Sequence, residues 1–172
     1  DPTFTSSESQ ETGQLIISGM GELHLEVLVR RIKDEFKVAA KVGPPQVTYR
    51  ESISSKVSHR ERFNRSIGGR ENRADITLSV SPLAHGEGER FISMLDRRAL
   101  PEEIVHAVRR GVMASFSAGV LYGYQVIDVL VSLDSAVYHE GVATEFAFEA
   151  AGAGGFDAAC RSAGPVLLEP VM

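Results

Sequence analysis

The sequence predicts an α+β fold in two parts. Apolar residues alternate along residues 75–81, which is typical of a half-buried strand. They recur at helical spacing in residues 22–36 and again in residues 101–118, which predicts two amphipathic helices. Between the first helix and the remaining elements lies Gly43-Pro44-Pro45, and proline cannot donate to a sheet ladder. A domain boundary is therefore expected at this tripeptide.

The sequence of the first part of the chain predicts an incomplete unit of strands and one helix. Its predicted elements, within residues 1–43, are strands at 3–9 and 14–18, a helix at about 22–36 and a short strand at 38–42. A ferredoxin-like domain runs β-α-β-β-α-β, so this β-β-α-β unit lacks the first strand and helix. The sheet face that the missing helix would cover is expected to be exposed or covered in another way, which leaves room for oligomerisation.

The second part, residues 44–164, is predicted to be a larger α+β domain. Its predicted elements are strands at 46–53, 75–81, 90–95 and 126–133 and helices at 101–118 and 144–162, with Thr144 as the cap of the last helix. Alternation places Ile127 and Val129 on the buried side of their strand. Three glycines lie inside the last helix, Gly152, Gly154 and Gly155. That helix is therefore either broken or packed too closely for larger side chains. Residues 165–172 are expected to leave the domain as an extended segment.

Composition and motifs narrow the class of protein. The formal net charge is −5, which gives no overall attraction to nucleic acid, and the single cysteine, Cys160, is typical of a reducing compartment. The sequence has no membrane-spanning apolar run and no signal peptide, so a cytoplasmic protein without membrane contacts is expected. It does not begin with Met, which indicates a piece of a longer chain.

The sequence has no pattern for catalysis. No Gly-x-x-x-x-Gly-Lys-Ser/Thr motif occurs, so this chain alone is not expected to hold a nucleotide in a phosphate-binding loop. Its 5 histidines do not have metal-ligand spacing, and no cysteine pair accompanies them. We therefore predict no catalytic, cofactor or metal site in this chain.

A basic segment interrupts the acidic chain between residues 56 and 73. Its basic residues are Lys56, Arg60, Arg62, Arg65, Arg70 and Arg73, against the acidic residues Glu61 and Glu71. Gly68-Gly69 lies near its centre, which predicts a projecting hairpin whose tip, Ile67-Gly68-Gly69-Arg70, presents guanidinium and backbone N–H groups to RNA phosphates. The alternatives are a flexible turn and a solvated segment whose charges serve solubility.

A second candidate loop follows the strand predicted at 126–133. It contains Tyr138-His139-Glu140, and adjacent tyrosine and histidine side chains can stack and donate hydrogen bonds at one end of the domain. The alternative for His139 is an ordinary surface histidine.

The chain resembles bacterial elongation factor G, the translocation GTPase. The resemblance lies in motifs that occur in the family's order: Asp1-Pro2-Thr3-Phe4, Gly19-Met20-Gly21-Glu22-Leu23-His24, Pro45-Gln46-Val47, Tyr49-Arg50-Glu51, Ala118-Gly119, Gly123-Tyr124 and Pro165-Val166-Leu167-Leu168-Glu169-Pro170. It implies the C-terminal part of domain III at residues 1–43, domain IV at 44–164 and the first strand of domain V at 165–172. It also implies that domain IV has a fold like that of the second domain of ribosomal protein S5.

The resemblance also implies a function. Domain IV of the family enters the decoding centre of the small ribosomal subunit and displaces the A-site tRNA–mRNA duplex, while GTP and magnesium bind an N-terminal domain that is absent here. By motif match, the contacting loops are Ile67, Gly68, Gly69 and Arg70 together with Tyr138, His139 and Glu140. Arg60, Arg62, Arg65 and Arg73 would support them from the hairpin.

The first loop departs from the family pattern. The family continues its Gly-Gly-Arg with glycine, glutamine, an aromatic residue, glycine and histidine, whereas this chain has Glu71-Asn72-Arg73-Ala74-Asp75. Glu71 is expected to restrict the backbone and to add negative charge beside an RNA-facing site. The departure indicates a divergent paralogue as one alternative to a translocase. Further alternatives are a ribosomal protection factor, a small-molecule enzyme on the S5-like fold, and a purely structural interaction domain.

Overall fold

A computed structural model of the chain describes residues 4–9, 12–96 and 99–169. The chain divides into two compact units, one within residues 1–48 and the other Tyr49–Glu169. The elements are β1 Phe4–Glu8, β2 Leu15–Gly19, α1 Glu22–Phe36, β3 Arg50–Ile53, β4 Val57–Ile67, β5 Arg70–Pro82, β6 Glu89–Ser93, α2 Glu102–Ala118, β7 Val129–Val137, α3 Glu145–Ser162 and β8 Pro165–Leu168. The predicted α+β class is confirmed.

The first unit is a two-stranded sheet followed by one helix. Strands β1 and β2 pair antiparallel, and α1 begins three residues after the end of β2, with the extended Gly21 at its N-cap. The helix ends where Lys37 takes a left-handed φ of 52°. Among the described residues of this unit, Leu28 is the one apolar side chain that is buried. The strands predicted at 3–9 and 14–18 and the helix predicted at about 22–36 are confirmed over the described residues; residues 1–3, 10 and 11 lie outside them.

The strand predicted at residues 38–42 is wrong. Residues 37–49 contain no strand, and the Ala40 N–H donates to the Val38 carbonyl at 2.9 Å in a local turn. A strand needs a neighbour that offers free backbone groups, and in the described chain the β1–β2 sheet takes no third strand. Val38 and Val42 consequently stay half-exposed. The described unit is β-β-α rather than the predicted β-β-α-β.

The second unit is built on a mixed four-stranded sheet in the order β4-β5-β7-β6. Strand β6 runs parallel to β7, and the other neighbours are antiparallel. Helices α2 and α3 pack together, and α3 covers β4 and β5. Alternate residues of β5 and β7 and the apolar stripes of both helices form the core, in which the rings of Phe116 and Phe156 lie 4.6 Å apart.

Glycines set the spacing between α2 and α3. A Cβ added to Gly111 would lie 2.0 Å from the carbonyl oxygen of Glu149, and one added to Gly152 would lie 2.6 Å from that of Val108. The helix α3 runs unbroken through its glycines, and Thr144 caps it by accepting from the Ala147 N–H at 3.2 Å. Of the two alternatives for this helix, close packing is therefore confirmed.

Strand β7 begins later than predicted, at Val129 rather than at residue 126. Asp128 takes a left-handed φ of 58°, and its carboxylate accepts from the N–H groups of Gly86 and Gly88 at 3.1 and 2.8 Å. These bonds interrupt the extended backbone, so Ile127, predicted to be buried, is only half-buried. Burial opposes the charge of Asp128, but the two backbone donors and His85 outweigh it and lower the pKa.

Strands β3 and β8 form a separate two-stranded sheet. The register pairs Arg50 with Leu168 and Ile53 with Pro165. Because β8 has only four residues, β3 is confined to Arg50–Ile53, and the predicted start at residue 46 is wrong. The C-terminal segment is extended, as predicted, but over Pro165–Leu168 it is paired within the second unit. Residues 170–172 lie outside the described residues.

Candidate nucleic-acid interface

The basic segment forms the long hairpin of β4 and β5. Its strands pair without interruption from Val57–Val80 to Ile67–Arg70. Gly68 and Gly69 form the two-residue turn with φ values of 59° and 79°. Positive φ at both central positions is what a type I′ hairpin turn requires, and glycine adopts it without a steric cost. The predicted hairpin is therefore present, with the predicted glycines at its turn.

The hairpin tip, residues 67–70, projects beyond the rest of the sheet. Strand β7 pairs with β5 only from Asp75 to Pro82, so the five residues of β5 before Asp75 extend past β7 by roughly 17 Å. Among the described residues, no atom outside the turn lies within 4 Å of a Cβ added at Gly68 or Gly69, and all residues of the tip are exposed. The tip is thus free to approach another molecule closely.

The second loop, residues 138–143, lies beside the same end of the hairpin. It follows Val137, which pairs with Asp75 of β5. The Arg73 N–H donates to the Val142 carbonyl at 2.9 Å, which joins the loop to the hairpin three residues after the tip's arginine. The structure therefore brings the two predicted loops to one end of the unit. The side chains of Tyr138, His139 and Glu140 are exposed there.

The chain enters and leaves this unit at the opposite end of α3. That helix begins after the second loop, and beyond its C-terminus the carbonyl of Ala163 accepts from the N–H of Ser54, next to β3. Its 18 residues span about 27 Å. The two loops are therefore held well away from the β3–β8 sheet.

Two of the predicted supporting arginines are bound within the hairpin. The Arg60 guanidinium donates to both carboxylate oxygens of Asp75 at 2.8 and 2.7 Å, and Arg62 lies 3.4 Å from the same carboxylate. Hydrogen bonds from Arg60, more than the attraction of its charge, lower the pKa of Asp75. Arg60 and Arg62 are thus neutralised in part and do not join the two loops.

The remaining arginines differ in their surroundings. Arg73 pairs with Glu71 at 2.9 Å, and the Arg65 guanidinium lies 5.6 Å from the centre of the Phe63 ring. Within the described part of the chain, Arg65 and Arg70 are the hairpin arginines that have no acidic partner. The cationic groups available at this end are therefore fewer than the sequence suggests.

Three further features of the described residues concern metal ligands, membrane-spanning helices and the cysteine. They contain no group of three side chains placed to hold a metal ion, and none of their helices is long and apolar enough to cross a membrane. Burial raises the pKa of the Cys160 thiol to about 12, so this side chain stays protonated and unreactive.

Family models match nearly the whole chain. The model for elongation factor G domain III matches residues 1–44, and the model for elongation factor G domain IV matches residues 45–164. The chain belongs to the elongation factor G family. The hairpin and the second loop both lie within the part that matches domain IV.

Individual relatives support the same family. The chain is 52% identical to elongation factor G 1 of Treponema denticola, covering 100% of this chain and 26% of the relative. It is 45% identical to elongation factor G 2 of Syntrophomonas wolfei, covering 100% of this chain and 25% of the relative. A crystal structure from Thermus thermophilus matches 97% of this chain and 25% of its own with a TM-score of 0.67 and 28% identity. The chain spans about a quarter of these elongation factor G relatives.

The departures from the elongation factor G loop pattern have local structural roles. Glu71 lies in regular strand β5, where its φ is not positive, so the expected backbone restriction does not arise. Its carboxylate instead pairs with Arg73. Ala74 is buried, and Asp75 binds the two arginines of the facing strand. The unusual residues of β4 and β5 therefore compensate one another.

Sequence reasoning missed Glu51, within the elongation factor G motif Tyr49-Arg50-Glu51. Its side chain is 1% exposed, and its carboxylate accepts four backbone N–H bonds at 2.8–3.1 Å. The donors are the N–H groups of Val120, Leu121, Tyr122 and Tyr124. Burial opposes the charge, yet the four donors together lower the pKa. The available signal was its place in the alternation, because Glu51 shares the predicted apolar face of its strand with Tyr49 and Ile53.

Proposed function

We propose that this chain is the ribosome-contacting part of an elongation factor G translocase. Residues 1–43 would be the C-terminal part of domain III, residues 44–164 domain IV, and residues 165–172 the start of domain V. Domain IV would enter the A site of the small subunit and promote GTP-dependent translocation of tRNA and mRNA. The observation that carries this proposal is that the hairpin tip and the second loop lie at the same end of the unit.

The chemistry of that end suits an RNA duplex. Arg70 presents a planar guanidinium that can donate to phosphate oxygens in pairs, and the glycine turn lets backbone approach backbone. His139 and Tyr138 provide a ring to stack on a base and a hydrogen-bonding group. The module would act by occupying space and contacting RNA rather than by a reaction of its own.

The remaining parts of the activity belong elsewhere in the longer protein. GTP with its magnesium ion would bind an N-terminal domain, and its hydrolysis would be coupled to the movement of domain IV. The partners of this chain would be rRNA of the decoding centre and the tRNA–mRNA duplex. A cytoplasmic location follows from that role.

Arg70→Ala and His139→Ala in the full-length factor are expected to slow single-round translocation by about tenfold each. The reason is that each change removes a contact worth ~1.4 kcal/mol or more at the RNA-facing end. Rapid-mixing fluorescence of labelled mRNA on pre-translocation ribosomes measures this rate, with GTP hydrolysis followed in parallel.

Arg109→Ala and His106→Ala are the matched controls, because both residues are exposed on α2 and belong to neither loop. These controls should leave the rate unchanged. If Arg70→Ala and His139→Ala also left it unchanged, the proposed action of the two loops on RNA would be wrong.

A second candidate is a divergent factor that binds ribosomes but translocates poorly. The observation that favours it is the neutralisation of Arg60, Arg62 and Arg73 by Asp75 and Glu71. Fewer free cations weaken binding to RNA phosphates. The translocation rate of the full-length wild-type factor distinguishes this candidate from the first.

Asp75→Asn tests how far this neutralisation limits binding. The substitution leaves Arg60 and Arg62 without their carboxylate, so ribosome affinity at low salt should rise. The affinity should also fall more steeply with added salt, and the increase in the salt slope should correspond to up to about two additional phosphate contacts. The control is Asp157→Asn on α3, which makes the same charge change and frees Arg161. Equal salt dependence of the two variants would show that the hairpin arginines do not contact RNA.

A further inference from the structure

Asn72 is a buried polar residue where the hairpin leaves the sheet. Its side chain is 8% exposed, and its Nδ2 donates to the carbonyl of Arg70 at 2.9 Å. Its Oδ1 accepts from the hydroxyl of Thr144 at 2.8 Å. One amide group thus connects the hairpin tip to a residue 72 positions further along the chain.

Thr144 extends this connection into the core. Its hydroxyl oxygen also accepts from the Ala147 N–H at 3.2 Å, which makes Thr144 the N-cap of α3. A continuous set of hydrogen bonds therefore runs from the Arg70 carbonyl through Asn72 and Thr144 to the first turn of α3. That helix is among the best-packed elements of the unit, with Phe148 and Phe156 fully buried.

Two further contacts act in parallel with the Asn72 bridge. The Arg73 N–H donates to the Val142 carbonyl, and the Phe63 ring of β4 meets the Phe146 ring of α3 edge-on at 5.9 Å. Both lie nearer the sheet than the tip. In the described chain, the tip itself has no direct hydrogen bond to the second loop, so Asn72 provides the bridge nearest to Arg70.

Asn72 uses both halves of its amide. Its Nδ2 donates to Arg70, two residues earlier in β5, and its Oδ1 accepts from Thr144, the residue that follows the second loop. Since an unpaired buried amide is costly, the pair of bonds favours one arrangement of the two loops over others.

We infer that Asn72 is a positioning residue that holds Arg70 and the second loop as one rigid unit. This inference rests on the proposed function, in which both loops contact the same RNA. The bridge would let the two loops meet the tRNA–mRNA duplex in a fixed relative arrangement, so that binding does not have to order them separately. Asn72 itself would make no RNA contact.

Amide hydrogen exchange in the chain, measured by NMR, tests the bridge without ribosomes. Asn72→Ala removes both bonds and should speed exchange at Arg73, Val142 and Ala143 by about tenfold, the effect of ~1.4 kcal/mol on local opening. Asn72→Asp keeps an acceptor for Thr144 but cannot donate to the Arg70 carbonyl. It should loosen residues 67–70, seen as faster backbone relaxation, and leave Val142 and Ala143 protected.

The matched control is Asn64→Ala, an exposed asparagine opposite Arg73 on the outer side of β4. It should change none of these rates. If Asn72→Ala left exchange at Arg73, Val142 and Ala143 unchanged, the positioning role would be wrong, whatever the loops do on the ribosome.

Translocation by the full-length Asn72→Ala factor completes the test. A rate slowed severalfold, with faster exchange, supports the inference. A normal rate in Asn72→Ala beside slow rates in Arg70→Ala and His139→Ala overturns the positioning role and leaves the proposed function standing. Normal rates in all three variants overturn both.

Discussion

Gly111→Ala is expected to destabilise the second unit by about 3 kcal/mol or more. The added methyl group would lie 2.0 Å from the carbonyl oxygen of Glu149, an atom of the backbone of α3 that cannot rotate away. The helices must therefore move apart, which weakens the packing of Phe116 against Phe156. The gain in helix propensity, about 1 kcal/mol, does not offset this loss.

The matched control is Gly154→Ala in α3. A Cβ at that position meets the Glu61 side chain at 3.7 Å, which is an ordinary contact. The same substitution should therefore stabilise the unit by about 0.5–1 kcal/mol through helix propensity alone. Amide hydrogen exchange at the buried β5 residues Ile76 and Leu78 measures the stability of the second unit separately from that of the first unit. Equal stability of the two variants would mean that the close helix contact is not tight in solution.

The glycines illustrate what the sequence could predict and what it could not. The pattern of apolar residues predicted α1 and α2 because a helix needs only its own neighbours and one buried face, and the cap residue Thr144 predicted the start of α3. It left open whether α3 is broken or closely packed, since the carbonyl that requires Gly152 belongs to another helix. Contacts between distant elements decide such questions, and local patterns do not contain them.

The strand errors have a related cause. A strand exists only when another strand pairs with it, so the apolar run at 38–42 has no ladder in the structure, and β3 extends only as far as β8 accompanies it. The start of β7 depends on the left-handed Asp128, whose carboxylate binds a loop 40 residues earlier. Propensity in residues 126–128 could not reveal that loop.

The candidate interface was predictable in position but not in charge. The tip lies at the start of β5, and the second loop follows the end of β7. Because β5 and β7 are antiparallel neighbours, the start of one strand and the end of the other lie at the same edge of the sheet. Counting back from Gly68-Gly69 would have placed Arg62 opposite Asp75. Composition alone counted every arginine as free. The register identifies Arg62, but Arg60 lies opposite Thr77 and reaches Asp75 diagonally.

Glu51→Gln is expected to destabilise the second unit by roughly 3–4 kcal/mol, although the side chain keeps its size. The amide NH₂ would face N–H donors, so at least two of the four backbone groups of residues 120–124 would lose their acceptor inside the protein. Each buried unpaired donor costs about 1–3 kcal/mol. Amide hydrogen exchange at Ile76 and Leu78, followed at increasing urea concentrations, measures the change in the free energy of unfolding. Glu103→Gln, on the exposed side of α2, is the control.

The effect of Glu51→Gln should also depend on pH. The folded-state pKa of Glu51 is lower than in the unfolded chain, because four backbone donors outweigh the burial that opposes the charge. A carboxylate of this kind stabilises the fold above its unfolded pKa, and the stabilisation is lost as pH falls through the folded value. The difference between wild type and Glu51→Gln should therefore be full at pH 7 and shrink below roughly pH 4. The anionic charge of Glu51 is what holds the 120–124 loop against β3. A difference in the free energy of unfolding that stayed constant down to pH 3 would contradict this, because it would show that Glu51 is not held as the anion.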